Sequence, residues 1–487
     1  MNPPSDLRQA VLKGAAWSIA LRWTMRGLGL VSTVVLARLL TPADFGLVAM
    51  AMLVVGFVEA WLSFGLETAL IQNQSATRDH YDTAWTLRIV QSVVVAILVA
   101  AAAPLAAAYF KEPRVVPVIW VICLGLVLVG FSNVGVIAFR KELEFHKEFR
   151  LQVTGKLFGF VIGLGAALWL RNYWALVIGT VSGFAVACAL SYLMHPYRPR
   201  FSLARVRELW SFSQWMLVRS IGHFAEMRAD EVLVGGLGST QQMGLYNVAA
   251  ELGRLPGSEL AAPLNQALVP GFAKLQHDAH RVAAAYLNAL GAVSTVTIPA
   301  AIGLALVADE LVLVLMGEQW IQAAPLLVLL ALSGAVRTGG SLATSFFLGT
   351  GLPRMAAVFS WLNAALLVGI ALPIVGDHGA EGVAMAKIAG GIVLTILICI
   401  GITRVSDVGG KDIVARLWRP VVAAGLMGLV VGSVPESGSG VLVELLLKVF
   451  VGVVTYSGGL LLIWRLAGCP DGAERFFLSH LRRRLRS

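Results

Sequence analysis

Long apolar runs, each about the thickness of a bilayer, follow one another along almost the whole chain, broken by short polar or Gly/Pro turns. One hydrocarbon-spanning helix needs roughly 20 predominantly apolar residues. In lipid the backbone N–H and C=O groups must be paired within the segment, which a helix achieves alone. The runs therefore predict an all-α, polytopic membrane protein with about 14 transmembrane helices. Their limits are 15–37, 45–70, 84–108, 115–138, 151–170, 173–194, 212–236 and 244–269, then 283–307, 321–346, 355–375, 380–403, 417–434 and 441–464. The first run reads as a span rather than a cleavable signal peptide, because it is long, holds Arg22 and Arg26, and is followed by no small-residue cleavage site.

Composition excludes the soluble classes. Only 14% of the 487 residues are charged and 57% are hydrophobic, whereas a soluble domain carries about 25% charge. A soluble enzyme, a disordered chain and a nucleic-acid binder are all ruled out. The net charge of +10 must then be read by position. With the N-terminus inside, 24 of the 38 Lys and Arg fall on inner segments, and only Arg38, Lys111, Arg114 and Arg171 on outer ones. Cytoplasmic loops carry such an excess, so both termini are expected in the cytoplasm. The outer loops are short and leave no extramembrane domain for soluble chemistry. The longest outer break, 308–320, holds a short interfacial helix at Leu311–Met316. Cys123, Cys188, Cys399 and Cys469 are scattered, which argues against a metal site or a disulfide framework; no cofactor is expected. The inner stretch 195–214 and the tail 467–487 alternate basic and apolar residues and read as topology anchors with no lipid specificity or as amphipathic segments on an anionic lipid surface.

A shift of 198 residues aligns two parts of the chain. Trp17 falls on Trp215, Thr41 on Ser239, Gly46-Leu47 on Gly244-Leu245, Leu66 on Leu264, Ala69-Leu70 on Ala267-Leu268 and Glu112 on Glu310. Six helices followed by six more form a parallel repeat, related by an axis along the membrane normal and able to rock around a central site. The expected organisation is a six-helix lobe over 1–198, a second over 199–410 in pseudo-twofold arrangement, two extra C-terminal helices over 411–466, and the basic tail.

Leu39-Leu40-Thr41-Pro42-Ala43-Asp44-Phe45-Gly46-Leu47-Val48-Ala49, with Phe64-Gly65-Leu66 and Ala69-Leu70-Ile71-Gln72, resembles the start of bacterial polysaccharide transporters, the Wzx-type flippases of lipid-linked oligosaccharides. Arg200-Phe201-Ser202-Leu203, Gly317-Glu318-Gln319-Trp320 and Ala323-Ala324-Pro325-Leu326 are similar to the same family further along, so the likeness covers nearly the whole chain. It implies membership of the multidrug/oligosaccharidyl-lipid/polysaccharide exporter superfamily, a cationic central cavity and alternating access. The implied activity is export of undecaprenyl-diphosphate-linked repeat units across the inner membrane for exopolysaccharide, O-antigen or capsule assembly. The implied partners are that lipid-linked sugar, membrane lipids, and the polymerase and chain-length proteins of polysaccharide assembly.

Charges inside the spans are the candidate site residues, since each costs about 2.5–3.5 kcal/mol at a helix centre on insertion scales. Arg22 and Arg26 share one face of the first span. As phosphate ligands they would line the cavity, guanidinium forks matching phosphate oxygens; as structural groups they would pair with Glu59 or Glu67. Arg254 is a third candidate phosphate ligand unless it simply pairs with Glu251 one turn away. Arg88, Lys156, Arg337 and Lys387 are single charges on other spans that line the cavity or do not, and Lys448 reads as a helix-end cation reaching for the interface. Arg219, His223, Glu226 and Asp230 form one stripe on the seventh span, with Arg228 and Glu231 to its sides. The stripe is a gate or inter-lobe ion-pair network, or a proton or cation site at Glu226 and Asp230 with His223 as relay. Glu251 joins it from the eighth span.

Two rivals remain. A multidrug and toxin extrusion antiporter of the same superfamily would carry a coupling carboxylate on its first helix, and residues 15–37 hold no Asp or Glu. A polytopic polymerase, ligase or glycosyltransferase would need catalytic residues on a long loop. The outer loops are short, and no Walker A, G-x-S-x-G or H-E-x-x-H pattern is present. No catalytic residue is assigned.

Overall fold

The computed structural model describes residues 5–61, 66–72, 75–435, 438 and 440–469; the basic tail from residue 470 onward lies outside them. Helices make up most of that range, joined by turns and one extended segment. Its helices are α1 (Ser5–Ala37), α2 (Pro42–Trp61), α3 (Leu66–Gln72), α4 (Arg78–Phe110), α5 (Val115–Gly130), α6 (Ala138–Lys141), α7 (Phe145–Leu170) and α8 (Trp174–Met194). They continue as α9 (Val206–Leu237), α10 (Thr240–Gly253), α11 (Ala262–Leu275), α12 (Ala279–Leu306), α13 (Ala308–Met316), α14 (Ala323–Gly349), α15 (Pro353–Val405), α16 (Gly410–Gly432) and α17 (Val441–Leu466).

Among the described residues ten helices are long and apolar enough to cross a membrane, eleven when the bent pair Val115–Gly130 and Val134–Lys141 counts as one. That measure falls short of the expected fourteen for identifiable reasons. The spans 355–375 and 380–403 are merged in α15, whose 53 residues would run about 80 Å as a straight helix, far beyond a hydrocarbon core of about 30 Å. The backbone breaks at Gly379 (φ 52°, ψ −130°), a conformation open to glycine. The expected span 244–269 is divided: α10 stops at Gly253, a π-helical turn covers Pro256–Ala261, and α11 follows. Proline lacks the N–H that would continue the ladder. The helix over 212–236 is continuous within α9 but is too charged to count as apolar. Leu311–Met316 does belong to a short helix, α13.

Large apolar side chains face outward, as lipid requires; Leu105, Trp169 and Leu193 are almost bare of protein. Helix ends are closed locally. Thr41 and Asp44 cap α2 reciprocally, the Thr41 N–H donating to Asp44 Oδ2 at 3.0 Å and the Asp44 N–H to Thr41 Oγ1 at 3.4 Å. Ser239 and Gln242, 198 residues further on, cap α10 the same way, with both bonds at 3.2 Å.

The chain divides into two compact units, residues 1–224 with 239–244, and 225–238 with 245–487. In the first, α7 and α8 meet glycine to glycine. A Cβ on Gly159 would lie 2.8 Å from the Gly179 carbonyl oxygen, and one on Gly179 2.9 Å from that of Gly159. The Gly159-x-x-x-Gly163 pattern therefore serves packing within one chain. Residues 195–203, expected to be part of an amphipathic segment, form an extended strap before α9. Asp82 Oδ1 accepts from the Tyr197 hydroxyl at 2.6 Å and the Arg200 N–H at 2.8 Å, Thr86 Oγ1 accepts from the Ser202 N–H at 3.0 Å, and the Phe201 ring packs on Trp85. The second unit is built on an aromatic core of Phe272, Tyr286, Phe346 and Phe347 between α11, α12 and α14.

Candidate functional site

Asp230 and Glu231 are neighbours on α9, so their side chains leave the helix about 100° apart and meet different partners. Each is 1% exposed. Asp230 accepts from Lys387 on α15 and, through Oδ2 at 3.0 Å, from the Tyr246 hydroxyl on α10. Glu231 accepts from two arginines: Nη1 of Arg228, one turn back on α9, at 2.6 Å from Oε2, and Nη2 of Arg254, just past α10, on Oε1. Arg337 on α14 adds a positive charge near enough to act on Lys387. Burying an ionised carboxylate costs several kcal/mol unless it is paired, which explains why both acids carry cations.

The electrostatic balance of this group is uneven. Arg228, Arg254 and Lys387 face only Asp230 and Glu231 in the ion pairs. The acids are enclosed, whereas the Arg228 and Arg254 side chains are 42% and 35% exposed. A guanidinium has five donors, and these ion pairs use one nitrogen of each arginine. The arrangement offers open, pre-positioned donors and one surplus positive charge, chemistry suited to an anion.

The charges of the first unit are arranged differently. Glu67 stands between Arg88 (3.4 Å) and Arg140 (3.6 Å), and Arg140 also pairs with Glu148 at 2.5 Å. Two acids balance two arginines in that chain. Glu67, one of the two acids considered above as partners for Arg22 and Arg26, is thus engaged by Arg88 and Arg140. Lys156 on α7 donates to the Met25 carbonyl of α1 at 3.0 Å, beside a cavity of about 440 Å³ that also includes Gln152 and Ser32. Arg22 lies exposed on α1 and Arg26 half-buried. Near the ends of α4, α5 and α10, Glu112 takes a two-pronged bond from Arg114 (2.9 and 2.8 Å) and one from Thr240 Oγ1 (3.1 Å). The Arg114 bonds hold the Glu112 carboxyl below its usual range.

Of the predicted residues, Arg254, Lys387 and Asp230 come together. Glu226 and Glu251 are half-buried on α9 and α10, and the side chains of Arg219 and His223 lie outside the described residues. Two side chains meet partners other than those considered from the sequence. Arg254 bonds Glu231 on another helix rather than Glu251, and Lys448 pairs with Glu310 rather than reaching for the interface. Glu231, Arg228 and Tyr246 were missed as members of the site. The adjacent acids at 230 and 231 were the available signal; nothing in the sequence marks Tyr246. Elsewhere in the second unit, α12, α13, α16 and α17 line an open-sided apolar cavity of about 750 Å³, with residues such as Pro299, Leu304, Met427, Val449 and Val453 on its walls. Among the described residues no cluster of His, Cys, Asp and Glu could hold a metal ion.

The profile of the polysaccharide biosynthesis protein family matches residues 35–325, more than half of the chain. The chain belongs to that family. Two relatives extend the match over most of the sequence. Lipopolysaccharide biosynthesis protein WzxC of Escherichia coli (strain K12) is 26% identical over 425 residues, covering 85% of each chain. Succinoglycan biosynthesis transport protein ExoT of Rhizobium meliloti (strain 1021) is 28% identical over 444 residues, covering 88% of this chain and 87% of ExoT. The fold is shared with lipid II flippase MurJ in an inward closed conformation, at a TM-score of 0.76 and 11% identity over 93% of this chain and 99% of MurJ. An inward-facing multidrug resistance transporter of the MATE family follows at 0.58 and 14% identity, over 81% and 94%. This member of the polysaccharide biosynthesis family is thus an all-α, multi-pass membrane protein whose family and fold are those of transporters rather than enzymes.

Proposed function

We propose that the protein is a flippase that moves undecaprenyl-diphosphate-linked oligosaccharide repeat units across the bacterial inner membrane by alternating access. The observation that carries this reading is the half-exposed pair Arg228 and Arg254, which with Lys387 outnumbers the two acids that face them. A diphosphate cannot cross hydrocarbon bare, because an unpaired buried ion costs many kcal/mol. Guanidinium forks in a wet site replace the water that binds phosphate in bulk. The open-sided apolar cavity lined by α12, α13, α16 and α17 is of a chemistry that accepts part of a polyprenyl tail. Arg22, Arg26, Lys156 and Arg337 are secondary cations along the route. Asp230 and Glu226 remain candidates for coupling or gating.

In this reading the chain has fourteen spans in two six-helix lobes plus two, both termini face the cytoplasm, and polymerase and chain-length proteins of polysaccharide assembly work alongside it. The names of WzxC and ExoT support the polysaccharide substrate, and the MurJ fold supports lipid-linked cargo. An antiporter of the MATE type is less well supported: the two enclosed acids of the site already carry protein cations. The deciding experiment deletes the gene in its host and follows lipid-linked saccharides and surface polysaccharide by mass spectrometry. Accumulation of a complete polyprenyl-diphosphate repeat unit with loss of surface polymer is expected. Truncated repeat units would point to a transferase. Unchanged lipid intermediates with new sensitivity to toxic cations would point to the antiporter.

A further inference from the structure

We infer that Glu231 is an internal stand-in for the substrate's phosphate: it occupies Arg228 and Arg254 while the site is empty and yields them when the diphosphate arrives. This rests on the proposed phosphate reading of those two arginines.

The geometry differs from an ordinary structural ion pair. Each oxygen of Glu231 takes a different guanidinium, Oε2 from Arg228 and Oε1 from Arg254. One carboxylate thereby holds together two like charges that would otherwise repel. Asp230, the adjacent acid, has its own lysine and its own tyrosine and is not available to share the load. A single negative charge spread over two guanidiniums leaves one positive charge uncompensated, so Glu231 keeps the pair in place without satisfying it.

Exposure gives the arrangement a direction. Glu231 is enclosed beneath the arginines, and the arginines are the open face. An incoming anion meets guanidinium N–H groups first. A diphosphate brings several acceptor oxygens and more than one negative charge to the same two forks, and charge-assisted bidentate bonds are the strong kind. It outcompetes one carboxylate while bound. Glu231 competes to regain its partners, which favours release, and the empty carrier never has to hold two bare arginines together. The prediction is opposite to that for a buttress: taking the charge off Glu231 tightens binding.

The test uses the full-length protein in nanodiscs, with undecaprenyl diphosphate bearing no sugar as the probe. Affinity is measured for the wild type, Glu231→Gln, Glu231→Asp, Arg228→Gln and Arg254→Gln. Glu231→Gln is expected to bind about tenfold more tightly and to release the probe correspondingly more slowly. Glu231→Asp keeps the charge but is too short to bridge both guanidiniums, and is expected to bind about threefold more tightly; it decides the matter if Glu231→Gln does not fold. Each arginine variant should bind about tenfold more weakly. Weaker or unchanged binding in the folded Glu231 variants, with the arginine variants impaired, would overturn the stand-in role and leave the phosphate site intact. Wild-type affinity in both arginine variants would instead remove the phosphate site itself, and this inference with it.

Discussion

Gly46 on α2 and Gly244 on α10 hold their helices backbone to backbone. A Cβ on Gly46 would stand 1.8 Å from the Thr240 carbonyl oxygen, and one on Gly244 would stand 1.8 Å from that of Pro42. The contact is reciprocal, and its two glycines are 198 residues apart, the same offset that relates the Thr41–Asp44 and Ser239–Gln242 caps beginning the two helices.

Gly46→Ala or Gly244→Ala is expected to push these helices apart. Overpacking of this kind costs typically 1–3 kcal/mol, and more where the opposing atoms are backbone that cannot rotate away. Thermal unfolding in detergent, followed by tryptophan fluorescence, should show a clear loss for both variants. Gly425→Ala, where an added Cβ meets nothing within 4 Å, should unfold like the wild type.

Removing one partner of the Asp230–Lys387 pair leaves a buried charge without its counter-ion. Lys387→Met is expected to destabilise by about 3–5 kcal/mol. The double variant Asp230→Asn/Lys387→Met should recover much of that loss. Equal instability of the single and double variants in the same unfolding assay would mean that the pair is not electrostatically coupled.

Export should discriminate between the arginines. Arg254→Gln is expected to lower surface polysaccharide at least tenfold in a complemented deletion strain. Arg254→Lys should restore only part of it, because an ammonium cannot reproduce a planar fork. Arg88, balanced by Glu67 in the first unit, should tolerate Gln with less than a twofold effect. Equal effects at 88 and 254 would remove the distinction drawn between the two charge clusters.

The strap gives stability a pH dependence. His195 Nδ1 accepts the Tyr197 N–H at 3.1 Å. Burial pushes the imidazole below its ordinary value, against the mixed influence of Glu142, Lys147, Glu144 and Arg198. The unfolded chain therefore protonates first, near pH 6.5. Above that pH both states are neutral and the contribution is complete; it is lost as pH falls through the lower folded value. The melting temperature should drop between about pH 7 and 5, and His195→Gln should flatten that part of the profile.

Much of the architecture was legible because hydropathy and charge are properties of the chain read in one dimension. An apolar run must become a helix wherever lipid is the solvent, so the helices around 84–108, 283–307 or 441–464 could be placed directly. The expected span 244–269 is present in two pieces, because Pro256 cannot continue the hydrogen-bond ladder, and an apolar average does not register such a break. The helix α9 is less apolar than its neighbours for the reason that makes it informative: it carries the acids of the site.

The sequence by itself determined that this is a polytopic helical membrane protein, that its charges sit within particular spans, and that Thr41 and Gly46 recur as Ser239 and Gly244 at one offset. Tertiary structure decided which charge meets which. Arg254 had Glu251 one turn away and bonded Glu231 on another helix; Lys387 found Asp230 across 157 positions. Helical periodicity fixes only the direction in which a side chain leaves its own helix. The partner it meets depends on the rotation and depth of a second helix, set by packing along its whole length, and no local pattern encodes that.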